Sequence, residues 1–141
     1  MEKDRVILYH KQPTSAKISF LRLNGTVCQW GGLPSGAKMV SCQIEDDEQP
    51  TTPAPKDLIS TIEQQLKLTP GILTLETPFQ AIVAAEDDEF NVYLAGFTTT
   101  DAPHEQVAEI EGKLIAVTEA RRLPPVELEL LKQVYAFLMD G

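Results

Sequence analysis

Cysteine and histidine are scarce in this chain, with two of each in 141 residues, and no apolar run approaches the length of a bilayer span. Each shortage excludes something. Cys28 and Cys42 are too few for a disulfide framework and lack Cys-x-x-Cys spacing, so reduced thiols in a core are expected. Residues 104–108, His-Glu-Gln-Val-Ala, begin like a zinc-protease helix motif, but Ala108 stands where the second imidazole belongs. A metal set drawn from His10, His104, Cys28 and Cys42 has no ligand spacing behind it, and no cofactor motif is present. The start, Met-Glu-Lys-Asp-Arg, has neither the cationic opening nor the apolar stretch of an export signal. With no spanning run either, direct membrane insertion is not expected and a cytoplasmic location is.

Positive charge is also in deficit. Twelve Lys and Arg against 21 Asp and Glu leave a net charge of -9, which repels phosphate backbones and anionic lipid. Nucleic acid is therefore excluded as a partner. Asn24-Gly25-Thr26 matches a glycosylation sequon, but without an export signal its Asn-Gly reads better as a turn.

What the chain does contain is ordinary for a globular protein: 43% hydrophobic and 23% charged residues, a length that fits one domain over residues 1–141. Residues 5–10 are β-prone and stop before Pro13. Residues 17–23 and 26–30 flank Asn24-Gly25, which suits a two-residue hairpin turn with Leu23 facing Thr26, Leu21 facing Cys28 and Ser19 facing Trp30. Apolar residues on both faces imply cover on both sides. Residues 38–44 alternate, with Val40, Cys42 and Ile44 sharing a face. Acidic residues and three prolines over 45–56 predict a flexible, extended loop.

Leu58, Ile59, Ile62 and Leu66 fall within an arc of about 100°, predicting an amphipathic helix over 57–68. Strands are predicted over 72–76, 80–86 and 90–97, with Pro78 breaking the first from the second. Val107, Ile110, Leu114 and Val117 lie within roughly 80° on a helical wheel, which favours a helix over 103–120. The β-branched content of 113–119 supports a strand there instead. Four strands, a helix, three strands and two helices make an α+β fold, a mainly antiparallel sheet of about seven strands with helices packed on it. A helix crossing between residues 44 and 72 leaves room for one parallel pair.

Four stretches invite a chemical reading and fall short of it. In Gly31-Gly32-Leu33-Pro34-Ser35-Gly36-Ala37-Lys38, Ala37 separates the last glycine from Lys38 and a strand follows, unlike a phosphate-binding loop. Ser35 is one place late for a nucleophile elbow. The acidic clusters at 45–48 and 86–89 lack the spaced ligands and turn glycine of a calcium loop. Tyr9, Trp30, Tyr93 and Phe97 suit a core as well as a small-molecule pocket.

The end of the chain carries the strongest signal. Pro124 and Pro125 start a helix whose Val126, Leu128, Leu130, Leu131, Val134, Tyr135, Phe137, Leu138 and Met139 spread over roughly 220°. That arc is wider than one core-facing stripe. It marks either a helix sandwiched between the sheet and the helix before it, or a face shared with a partner, for which Leu128, Leu131, Tyr135, Leu138 and Met139 are the candidates. The leading expectation is a non-enzymatic protein-binding module, an adaptor, chaperone or accessory subunit, that self-associates or docks on another protein. The alternatives are a small-molecule sensor or enzyme using Tyr9, His10, Trp30 or Lys38, and an acidic inhibitor or nucleic-acid mimic.

Overall fold

The computed structural model describes residues 4–11, 18–23, 26–29, 33, 36–44, 57–85, 88–98, 104–116, 118, 123 and 125–140. The side chains of residues 29, 41–44, 77, 78, 104, 139 and 140 fall outside that description, as does the loop expected over 45–56. Strands β1 (Asp4–Lys11), β2 (Ile18–Arg22), β3 (Cys28–Gln29) and β4 (Lys38–Ile44) come first. Helix α1 (Leu58–Gln65), strands β5 (Leu73–Ala85) and β6 (Asp88–Phe97), helix α2 (His104–Glu109), strand β7 (Lys113–Ile115) and helix α3 (Pro125–Asp140) follow. The result is an open seven-stranded α+β sheet in the order β4-β5-β6-β1-β2-β7, with β3 also on β1. Every pairing is antiparallel except β1 with β6, where Val6 lies opposite Tyr93 and Tyr9 opposite Gly96. The parallel pair thus joins the first and sixth strands; β4 and β5, on either side of α1, are antiparallel.

Period-two alternation assigns the sheet's side chains to two apolar layers. One contains Ile7, Phe20, Cys28, Val92 and Leu94 and is closed by Val126, Leu130, Leu131, Val134 and Leu138 of α3. The other contains Val6, Leu8, Leu21, Tyr93, Ala95 and Phe97 and is closed by Leu58 and Ile62 of α1 and Val107 of α2. Helices on opposite faces correct one expectation: α3 is not sandwiched between the sheet and the helix before it, because α2 lies across the sheet.

Leu23 faces Thr26 as expected, the two exchanging backbone hydrogen bonds of 2.9 and 3.2 Å; Asn24 and Gly25 between them lie outside the described residues. The hairpin stops at that pair. Two steps along β1, from Tyr9 to Ile7, correspond to eight on the facing chain, from Phe20 to Cys28, so the facing chain has six more residues than β1 over that interval. β2 and β3 are therefore one interrupted strand along β1, not two arms of a hairpin. Leu21 faces Leu114 instead of Cys28, and Cys28 faces Ile7. Ser19 lies opposite His10, and Trp30, its expected partner, lies outside the described residues.

Pro78 does not divide two strands. It falls inside β5 where the register slips between Leu75 and Gln80, three residues more than β6 supplies, and a bulge absorbs its missing N–H. The helix expected over 103–120 ends at Glu109, and Lys113–Ile115 pairs with β2. Its stop resembles that of α1. Glu111 (φ 62°) and Lys67 (φ 56°) take the left-handed conformation, and the N–H groups of Gly112 and Leu68 reach back to the carbonyls of Val107 (2.9 Å) and Glu63 (2.8 Å). Glycine follows Glu111 because a Cβ at 112 would meet the Leu21 side chain at 3.0 Å. Ile110 and Leu114 still pack on the α1 layer, so the wheel identified the right face with the wrong element.

Candidate functional site

Among the described residues, sheet and helices bring few polar groups together, and the carboxylates they bury are committed to structure. Glu127, 1% exposed in the first turn of α3, accepts hydrogen bonds from the Val27 N–H (2.8 Å) and the Thr26 hydroxyl (2.8 Å). Thr26 Oγ1 accepts in turn from the Cys28 N–H at 3.1 Å. Burial raises the Glu127 pKa; the two hydrogen bonds and the positive charge of Arg22 act against it. Cys28, fully buried nearby, is pushed well up, by burial first and then by the Glu127 charge, with Arg5 opposing. A thiol held in its neutral form is a packing group and a poor nucleophile.

Glu63 fills the equivalent role on α1. Its Oε2 accepts from the Gly71 N–H (3.0 Å) and the Leu73 N–H (3.1 Å), tying the helix to the start of β5. Tyr9 donates its phenol proton to Glu76 Oε1 at 2.6 Å, and burial, followed by that bond, raises its pKa. The Tyr9 ring lies so close over Gly96 that a Cβ there would sit 2.6 Å from Cζ. Tyr93 is pushed up to about 12, by burial and then by the Asp4 charge.

Tyr9, His10 and Lys38, expected as alternatives for a small-molecule site, stand in different places on the sheet. Tyr9 and His10 are consecutive on β1 and point to opposite faces, with Tyr9 in the α3 layer. Lys38 is exposed on the far edge strand, and Trp30 lies outside the described residues. Cys28 and His10 are separated by the sheet in the same way, while the side chains of Cys42 and His104 are outside the description. Among the described residues no three His, Cys, Asp or Glu side chains gather as a metal set. No described helix is long and apolar enough to cross a membrane. Of the glycine-rich stretch, Leu33 and Gly36–38 are described; Gly36 turns at φ 83° directly before β4.

The candidates on α3 separate by burial. Leu131 and Leu138 are enclosed against the sheet, Leu128 packs partly buried at the margin of that layer, and Tyr135 is 42% exposed. The side chain of Met139 is outside the description. Phe137 stacks at 5.8 Å on Phe79, which keeps that flank with the core. Among the described side chains, the wide apolar arc is thus mostly spent inside the chain, leaving Tyr135 as its outward residue.

Sequence patterning missed another exposed apolar residue. Val40 is 62% exposed, although alternation groups it with Cys42 and Ile44. The register slips between Met39 and Ser41, so Val40 is an extra residue in the ladder and leaves the inward phase. No local signal in Lys-Met-Val-Ser marks that slip; it becomes visible only against β5. The chain matches no protein-family model and no curated protein.

Proposed function

We propose that this chain is a protein-binding module without chemistry of its own, docking through the side of the fold where α3 packs on β4 and β5. The supporting observation is that, among the described residues, Val40 on β4 and Tyr135 on α3 are the large apolar side chains left exposed. Aromatic anchors and apolar groups at a sheet edge are common centres of protein interfaces. Among the described residues the buried carboxylates of Glu63 and Glu127 are taken up by internal hydrogen bonds, which favours binding over catalysis. A net charge of -9 steers the chain towards basic partner surfaces.

Affinity capture from the native cells with the wild-type chain, Tyr135→Glu and Val40→Glu tests this. The expected result is a partner retained by the wild type and lost, wholly or in large part, by at least one variant. Capture identical in all three, with the variants folded by circular dichroism, would overturn the proposal.

A further inference from the structure

Polar side chains sealed against a sheet are normally paired, because one left without a partner has given up its hydrogen bonds to water for nothing. Gln80 and Tyr93 break that pattern together. They lie directly opposite each other on β5 and β6, so their side chains are neighbours on the face that α1 and α2 cover, opposite α3. Gln80 is 4% exposed and Tyr93 3%. Among the described residues Gln80 Oε1 has no hydrogen-bond partner, and the Tyr93 phenol feels burial and the Asp4 charge without a hydrogen bond.

Their place in the face gives access to them. One row inward, Ala95 and Leu8 stand side by side and are fully buried. One row outward, Ile82, Asn91 and Asp4 stand side by side across β5, β6 and β1 and are only half-buried. Gln80 and Tyr93 are therefore the last covered row before the face opens.

What this margin lacks is a positively charged donor. Gln80 Oε1 can only accept, and Asp4 Oδ1 receives the Asn91 amide at a long 3.4 Å. Lys38, a cation on this face by register, stands three strands away from Asp4. Methionine would fill the place of Gln80 without an unpaired amide, so the amide is a sacrifice of stability of the kind made at binding sites.

We infer that this margin binds a small organic cation, an alkylammonium or guanidinium group lying on the half-buried row with its N–H donors directed to Gln80 Oε1, the Tyr93 oxygen and the Asp4 carboxylate. Hydrogen bonds from a charged donor are the strong ones, and a chain charge of -9 concentrates cations at the surface. The site is separate from the docking side around Val40 and Tyr135.

The probe is butylammonium, with butanol and butyrate as its neutral and anionic twins, titrated into the full chain and followed by amide chemical shifts. Butylammonium is expected to give saturable shifts at Gln80, Asn91 and Tyr93 that weaken with added salt, and the twins none. Gln80→Met should lower affinity by roughly tenfold or more while unfolding at the wild-type temperature or above it; Gln80→Glu, which keeps the acceptor, should bind at least as tightly as wild type. Tyr93→Phe should weaken binding by roughly three- to tenfold, and Asp4→Asn should remove most of its salt dependence. Butanol binding as tightly as butylammonium, shifts centred elsewhere or no saturation overturns the inference. Unchanged affinity in folded Gln80→Met overturns it too, whatever Asp4→Asn does. Should Gln80→Met fail to fold, Tyr93→Phe decides in the same way.

Discussion

Glu127 and Val27 are a hundred residues apart and joined by a 2.8 Å hydrogen bond, the Val27 N–H donating to a carboxylate that is itself almost wholly buried. That contact fastens the first turn of α3 to Val27, directly before β3. Glu127→Ala leaves the Val27 N–H buried without an acceptor and is expected to cost about 1–3 kcal/mol. Glu127→Gln keeps one acceptor and should cost less.

The sign of the pH effect follows from the same site. A carboxyl whose folded pKa is raised holds its proton more tightly in the folded chain, so its contribution to stability grows as pH falls through the raised folded value towards the ordinary carboxylate range and is then constant. Urea midpoints of wild type and Glu127→Gln between neutral and mildly acidic pH check this. The wild type should gain on the variant as pH is lowered.

Gly96→Ala places a methyl group on the Tyr9 ring, which cannot swing aside without giving up its bond to Glu76. The expected loss is about 1–3 kcal/mol. In a double-mutant cycle, Tyr9→Val should remove most of the penalty, since the two changes share one contact.

Gln80 is buried beside the β5 bulge, and among the described residues its Oε1 has no hydrogen-bond partner. An isolated polar atom of this kind is a net cost, so Gln80→Met, of similar shape, should be neutral or stabilising by up to about 2 kcal/mol. Thermal unfolding of the variant is the measurement.

Lys67 and Glu111 end their helices in the left-handed region, where glycine avoids the Cβ penalty. Lys67→Gly and Glu111→Gly should each raise stability by about 0.5–1 kcal/mol, the gain being limited by the added freedom of the unfolded chain. The two sites end different helices and should add.

On α3, Leu131→Ala should cost about 2–5 kcal/mol because Leu131 is fully enclosed, whereas Tyr135→Ala should stay within about 0.5 kcal/mol. Denaturation of the pair distinguishes core from surface on one helix. Equal losses would mean Tyr135 is structural.

Patterns of local origin were legible in the sequence. Leu58, Ile62 and Leu66 mark the buried face of α1, the Asn-Gly dipeptide sets Leu23 opposite Thr26, and apolar residues on both sides of the strands announce cover on both faces. What stayed hidden depends on partners distant in the chain. Lys113–Ile115 is a strand because β2 is there to pair with, Pro78 is tolerated because a bulge takes it up, and Val40 faces out because β5 runs one residue short opposite it. Glu127 looks like any acidic residue favoured at a helix start until Val27 is placed beside it.

Because β1 lies between β6 and β2 with β6 parallel to it, the middle of the sheet is built from segments made far apart in time. During synthesis β1 and β2 can meet early, but the other side of β1 must wait while more than half the chain is added. For that interval a strand with Val6, Ile7, Leu8 and Tyr9 has an unfilled flank. Closing it requires a long loop to be ordered before any pairing compensates, which makes the β1–β6 contact a natural late step and the waiting flank the place where misassembly would begin.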